Sequence, residues 1–102
     1  MQGDVYTLGV WKVKPGQEEG FIAVWKELGD FFLSLPNPPG PGTLVQSLDD
    51  PTLFYSFGPW NSLADIQAMR AHPQTPAMIG KLASLCETAT PAAFRLVATV
   101  PE

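Results

Sequence analysis

The sequence predicts an α+β fold of the ferredoxin-like type, ordered βαββαβ, with a four-stranded antiparallel sheet that carries its helices on one face. Three observations predict it. Stretches rich in β-branched and aromatic residues alternate with stretches whose apolar residues recur every three or four positions. The breaks between them are marked by proline and glycine, and the chain is long enough for only one such unit, a single domain over residues 1–102.

The first strand is Val5 to Val13, whose stiff side chains suit a pleated surface. Alternation puts Val5, Thr7, Gly9, Trp11 and Val13 on one face and Tyr6, Leu8, Val10 and Lys12 on the other, so neither face is wholly polar. Lys14-Pro15-Gly16 breaks the strand. Glu18 and Glu19 then supply negative charge where the exposed N–H groups of a first helical turn favour it. Phe21, Val24, Trp25, Leu28, Phe31, Phe32 and Leu35 form a broad apolar stripe on the helix that follows, about 25 Å long. Gly20 and Gly29 weaken that helix by roughly 1 kcal/mol each relative to Ala, so packing must hold it.

Residues 36–42 hold four prolines and two glycines and form a loop, a candidate pocket rim. Thr43 to Leu48 and Leu53 to Phe57 read as a hairpin turned at Asp49-Asp50-Pro51-Thr52, where an aspartate can bond back to the chain. Ser62 and Asp65 form a capping signal for a second helix, with Leu63, Ile66 and Met69 on its apolar side. His72-Pro73 interrupts it. Thr75-Pro76 restarts helix as a cap followed by the first-turn proline, and Met78, Ile79, Leu82, Leu85 and Cys86 line one face. A last strand is expected from Ala92 to Val100.

Two helices cover only one side of such a sheet, while its strands are apolar on both. A large wet apolar area is rare in monomers, so the other side is expected to meet a second copy of the chain, giving a homodimer packed through the sheet. Composition excludes other partners. Six basic against ten acidic residues leave a net charge of −4, the wrong sign for nucleic acid. No segment approaches the roughly 18 apolar residues of a membrane span, and Met1-Gln2-Gly3-Asp4 shows no export signal. One Cys86 and one His72 cannot build a structural metal site, and the lone cysteine fits a reducing, cytoplasmic setting.

Trp11-Lys-Val-Lys-Pro-Gly16 leading to Phe21 and Trp25-Lys26, Asp49-Asp50-Pro51, Trp60-Asn61-Ser62 and Met69-Arg-Ala-His-Pro73 stand in an order and spacing that resembles the antibiotic biosynthesis monooxygenase domains of the dimeric α+β barrel superfamily. The likeness spans about residues 5–100. It implies a dimer built through the sheets, with a pocket in each subunit between sheet and helices. It further implies, as the leading expectation, an oxygen-dependent, cofactor-independent monooxygenase acting on a small electron-rich aromatic or quinol-like compound, with no cofactor and no metal. The alternative expectation is a non-catalytic dimeric small-molecule-binding or accessory protein of the same fold.

Trp60 matches a tryptophan that oxygenating relatives place in their pocket. Four residues before it such relatives can carry an amide where this chain has Ser56, and six after it an aromatic hydroxyl where this chain has Ile66. Haem-degrading relatives need an asparagine, a tryptophan and a histidine where spacing places Gly9, Met69 and Ile79, which disfavours haem cleavage.

His72 is the only side chain whose ordinary pKa lies near neutrality, which makes it the candidate base beside Trp60. The competing reading of His72 is a capping residue at the helix break. Arg95, alone in an apolar strand, is the candidate oxyanion holder or dimer contact, and Arg70 reads as a solvated helix face. Tyr55 and Ser56 complete the candidate substrate contacts, Tyr55 by stacking or donating. Cys86 reads as an inert buried thiol.

Overall fold

A computed structural model of the protein describes residues 5–101; the expectation placed on residues 1–4 lies outside them. The central strand β1 (Val5–Val13) is flanked by β3 (Leu53–Trp60) on one side and β4 (Cys86–Arg95) on the other, and β2 (Thr43–Gln46) lies beyond β3. All three pairings are antiparallel, in the order β2-β3-β1-β4 expected of the ferredoxin-like arrangement. Helix α1 (Glu18–Leu33) follows β1, and α2 (Leu63–Ala71) and α3 (Thr75–Ala83) lie between β3 and β4.

Register decides which residues face the helices. Val5 lies opposite Trp60, Thr7 opposite Gly58, Gly9 opposite Ser56 and Trp11 opposite Phe54, so these eight share one face. It is the covered face: Gly9, Trp11, Val13, Phe54, Ser56, Gly58 and Trp60 are all buried. Tyr6, Leu8, Tyr55, Phe57 and Phe94 stand on the other face, where Tyr55 is 42% and Phe94 51% exposed. The sheet is therefore apolar on both sides and covered on one.

The core is divided. Trp11, Val13, Phe21, Val24, Leu28, Phe54, Leu82 and Cys86 form one buried cluster, and Trp60, Ile66 and Met69 form another. Tilted ring contacts chain Trp11 to Phe21 and Phe21 to Phe54 at 5.6 and 5.2 Å between centroids. Phe32 meets Trp60 edge-on at 5.3 Å and packs against both clusters.

The capping expectations hold at α2, where Ser62 Oγ accepts from the backbone N–H of Asp65 at 3.1 Å. At α3 they are corrected. Gln74 is the N-cap, and Thr75, the first helical residue, donates its hydroxyl to the Met69 carbonyl at 2.6 Å, tying the end of α2 to the start of α3. The hairpin turn is built as expected around Asp50, whose carboxylate accepts from Thr52 N at 3.0 Å and from Thr52 Oγ1 at 2.7 Å.

Strand boundaries differ more. β3 continues past Phe57 to Trp60 because Val5, Tyr6 and Thr7 of β1 extend its ladder. Gly58 accommodates the close Pro41-Gly42 segment, which a Cβ there would approach to 3.2 Å. The last strand occupies Cys86–Arg95, not Ala92 to Val100. Cys86 is thus a strand residue paired with Val13 and not the end of a helix face. Pro91 sits in the middle of β4, a position tolerated because β4 is an edge strand that pairs only with β1.

Candidate active site

Between the covered face of the sheet and the helices lies a cavity of about 510 Å³. Trp11 and Leu28 of the first core cluster and Trp60 and Met69 of the second line it, so the cavity occupies the gap that divides the core. Side chains are missing where the gap opens. Gly9, Gly29 and Gly58, from β1, α1 and β3, all line it.

Its floor is set by two hydrogen bonds. Gly9 has no Cβ, and one placed there would lie 2.6 Å from Trp11 Nε1, so the Trp11 indole folds back over Gly9. That brings the indole N–H to the residue opposite Gly9 in the register: Trp11 Nε1 donates to Ser56 Oγ at 2.9 Å. One step along the sheet, Trp60 Nε1 donates to Thr7 Oγ1, also at 2.9 Å. The two indoles and two hydroxyls are packed as a polar-centred, apolar-walled patch.

The walls are apolar and aromatic, with Trp25 and Phe32 from α1. Proline-rich residues Pro39, Gly40, Pro41 and Gly42 form one rim, as the sequence suggested. The rim is anchored where Gly40 N donates to the Pro59 carbonyl at 2.9 Å, and it packs against Trp25 at Gly42. Charge enters through Lys26, Asp30 and Arg70, which are exposed residues of the lining and have no ion-pair partner among the described residues.

The structure brings together Trp60 and Ser56 of the five site residues expected from sequence. His72, Tyr55 and Arg95 do not line the cavity. His72 is the extended C-cap of α2, half-buried against Phe31 with ring centroids 5.0 Å apart, and its Nδ1 accepts the backbone N–H of Gln74 at 3.1 Å. That is the capping geometry. Tyr55 points to the uncovered face of the sheet, because it neighbours Ser56 and period-two alternation sends the two to opposite sides. Arg95 is exposed at the end of β4, opposite Val5.

Arg70 holds the place expected of Arg95: it lines the cavity from α2 beside Met69. Thr7 is marked in the sequence only as a strand residue on the same face as Gly9, whereas Trp11 also opens the stretch to Gly16 on which the resemblance rests, a strand aromatic able to stack on a flat ligand. Cys86 is buried, its Sγ donates to the Leu82 carbonyl at 3.4 Å, and burial pushes its thiol pKa up, which keeps it protonated. Among the described residues no group of histidine, cysteine, aspartate or glutamate could hold a metal ion, and no helix is long and apolar enough to cross a membrane.

No protein-family model and no curated protein matches the chain. Solved structures do. SnoaB, a cofactor-independent oxygenase from Streptomyces nogalater, superimposes with a TM-score of 0.84 over 96% of this chain and 97% of its own, at 21% sequence identity. A Deinococcus radiodurans protein named for the antibiotic biosynthesis monooxygenases matches with a TM-score of 0.79 over 96% of this chain and 97% of its own, at 13% identity. One from Bordetella bronchiseptica, named likewise, gives 0.79 over 95% and 100%, at 15% identity. Likeness at these identities establishes a shared fold.

Proposed function

We propose that this protein, whose fold is that of the antibiotic biosynthesis monooxygenases, is itself a cofactor-independent, oxygen-dependent monooxygenase acting on a small electron-rich aromatic or quinol-like compound. The observation that carries the reading is the cavity of about 510 Å³ with indole walls at Trp11, Trp25 and Trp60 and hydroxyls at its floor. A pocket of this size and character suits a flat, oxygen-bearing ring system. The fold shared with an oxygenase that uses no cofactor agrees with it.

In such a reaction the substrate supplies the electrons. A phenolate or enolate passes an electron to dioxygen, and the radical pair combines at the ring carbon. When a ring CH2 ends as a carbonyl, one oxygen atom stays on carbon and the other leaves as water with both hydrogens, so no outside reductant is needed. The protein's part is to exclude water, hold the ring and stabilise the anion. Trp60 walls the site and Ser56 meets the substrate oxygen. His72 remains the candidate base from sequence only: it stands outside the cavity lining, with Nδ1 engaged by Gln74 N–H, so a role in catalysis would need proton transfer relayed to its Nε2.

The uncovered sheet face, with Tyr55, Phe57 and Phe94 exposed, supports a homodimer packed through the sheet. Analytical ultracentrifugation tests it; stable, unaggregated monomers at micromolar concentration would remove it. Oxygen uptake across a panel of hydroquinones and polyphenols tests the activity, and Trp60→Phe is expected to lower turnover at least tenfold in a folded protein.

One observation favours a second reading. The single histidine serves as a helix cap and no titratable side chain stands at the cavity floor, which suits a non-catalytic dimeric small-molecule-binding or accessory protein. Its signature is a ligand retained through purification, seen by native mass spectrometry, with no oxygen consumed by any compound of the panel.

A further inference from the structure

The two indole hydrogen bonds fix what the cavity floor can still do. A hydroxyl has one proton to give and two lone pairs to receive with. Ser56 Oγ receives from Trp11 Nε1 and Thr7 Oγ1 receives from Trp60 Nε1, both at 2.9 Å. Among the described residues neither hydroxyl has an acceptor for its own proton, although Ser56 is 8% exposed and both residues line the cavity. An indole N–H cannot accept, so neither partner can take that proton back. Each hydroxyl is left as a donor aimed at whatever fills the cavity.

The register places the pair. Thr7 lies opposite Gly58 and Ser56 opposite Gly9, so the two are diagonal neighbours on adjacent strands, with β-carbons about 7–8 Å apart or a little less. The positions between them are the two glycines. The Trp11 indole covers Gly9 and the Pro41-Gly42 backbone lies against Gly58. Both hydroxyls nevertheless border the same cavity, so a flat ring held in it can present its edge to two donors from neighbouring strands.

We propose that Thr7 and Ser56 form a paired hydroxyl donor that selects aromatic ligands by an acceptor oxygen, a phenolate or an aryl carbonyl, with Thr7 the specificity residue that sequence reasoning did not single out. The assignment deepens the reading of the cavity as the site of an oxygen-bearing aromatic and rests on it. Trp11 and Trp60 are positioning residues in this scheme: they hold the hydroxyls and dictate that they donate. A purely hydrocarbon ligand leaves both protons unpaired, and the cost of an unmade buried hydrogen bond exceeds the gain from a made one.

The test compares two probes of nearly equal shape, 1-tetralone, which carries one aryl ketone oxygen, and tetralin, which carries none. Binding is read from quenching of indole fluorescence under nitrogen, so that no turnover intervenes. Thr7→Val and Ser56→Ala are each expected to shift the ratio of the two dissociation constants roughly fivefold toward tetralin, the effect of about one neutral hydrogen bond. Thr7→Ser, which keeps the hydroxyl for both Trp60 and the ligand, is expected to restore the ratio.

Thr7→Val also deprives Trp60 Nε1 of its acceptor. Near-UV circular dichroism therefore accompanies each measurement, and Ser56→Ala with Thr7→Ser carries the test if the valine variant does not fold. A ratio that stays constant through folded variants overturns the assignment, as does failure of both probes to bind at millimolar concentration. Oxygen uptake separates this from the activity. A shifting ratio in a protein that consumes no oxygen keeps the donor pair and removes the oxygenase, while a constant ratio in an active oxygenase does the reverse.

Discussion

Trp11 donates its indole N–H to Ser56 across 2.9 Å, over a glycine that stands directly opposite the serine on the neighbouring strand. Three residues are thereby locked into one geometry. Gly9 leaves the space, Trp11 fills it, and Ser56 receives the proton that the indole would otherwise bury unpaired. The cavity floor is a consequence of that lock.

Gly9→Ala is therefore expected to destabilise the protein, although alanine is ordinarily the better strand residue. The new methyl would lie 2.6–2.7 Å from Trp11 ring atoms, and the indole is too closely packed among Phe21 and the rest of its cluster to step aside freely. Overpacking of this kind costs about 1–3 kcal/mol. Urea unfolding measures it, and the control is Gly20→Ala, where the nearest atom is 3.9 Å away and the helix should gain about 0.5–1 kcal/mol.

Gly29→Leu is expected to separate stability from binding. A Cβ at Gly29 meets nothing within 4 Å, and the residue lines the cavity from the middle of α1. Leucine raises helix propensity by roughly 0.8 kcal/mol while projecting into the ligand's space. Thermal unfolding should move up or stay level as the affinity for 1-tetralone falls at least tenfold. Unchanged affinity would mean that the ligand does not occupy this part of the cavity.

Arg70 lines the cavity and has no ion-pair partner among the described residues, so Arg70→Gln is expected to weaken ligands that carry a carboxylate. At an exposed mouth the effect is about three- to tenfold at low salt and smaller at 0.5 M salt, because ions screen exposed charges. Isothermal titration with 2-naphthoate against neutral 2-naphthol reads the difference. Arg95→Gln, at the exposed end of β4, should leave both unchanged.

Asp50 links the hairpin to β1 through Lys12 and has its carboxyl pKa lowered from 3.8 to about 2, first by the hydrogen bond from Lys12 and then by those from Thr52. A pKa depressed in the folded state gives stability that is present above the unfolded value and lost as pH falls through the folded one. Wild type should therefore melt above Asp50→Asn at pH 7, and the gap should close between about pH 4 and pH 2. Differential scanning calorimetry across that range checks it, and a gap independent of pH would assign the effect of Asp50 to turn geometry alone.

Periodicity sufficed where an element pays its own way locally. The stripe from Phe21 to Phe32, the Ser62 cap and the Asp50 turn all appear as the residues predict, because each depends on contacts within a few positions of chain. Boundaries set by distant partners did not show. Cys86 continues an apolar helical spacing, yet it begins β4 because Val13 is there to pair with it. Phe57 to Trp60 contains Gly58 and Pro59 and still extends β3, since Val5, Tyr6 and Thr7 supply the ladder.

The same division runs through the site. Sequence alone determined the order of strands and helices, the two-sided apolar sheet and the likeness that singled out Trp60, all properties of spacing along one chain. Tertiary structure decided which polar groups meet across strands. It joined Trp11 to Ser56 and Trp60 to Thr7 over 45 and 53 residues, admitted Arg70 to the cavity wall and left His72, Tyr55 and Arg95 outside it. A one-residue change of register turns a side chain from one face of a sheet to the other, and register is fixed by the partner strand, not by the residue's neighbours in sequence.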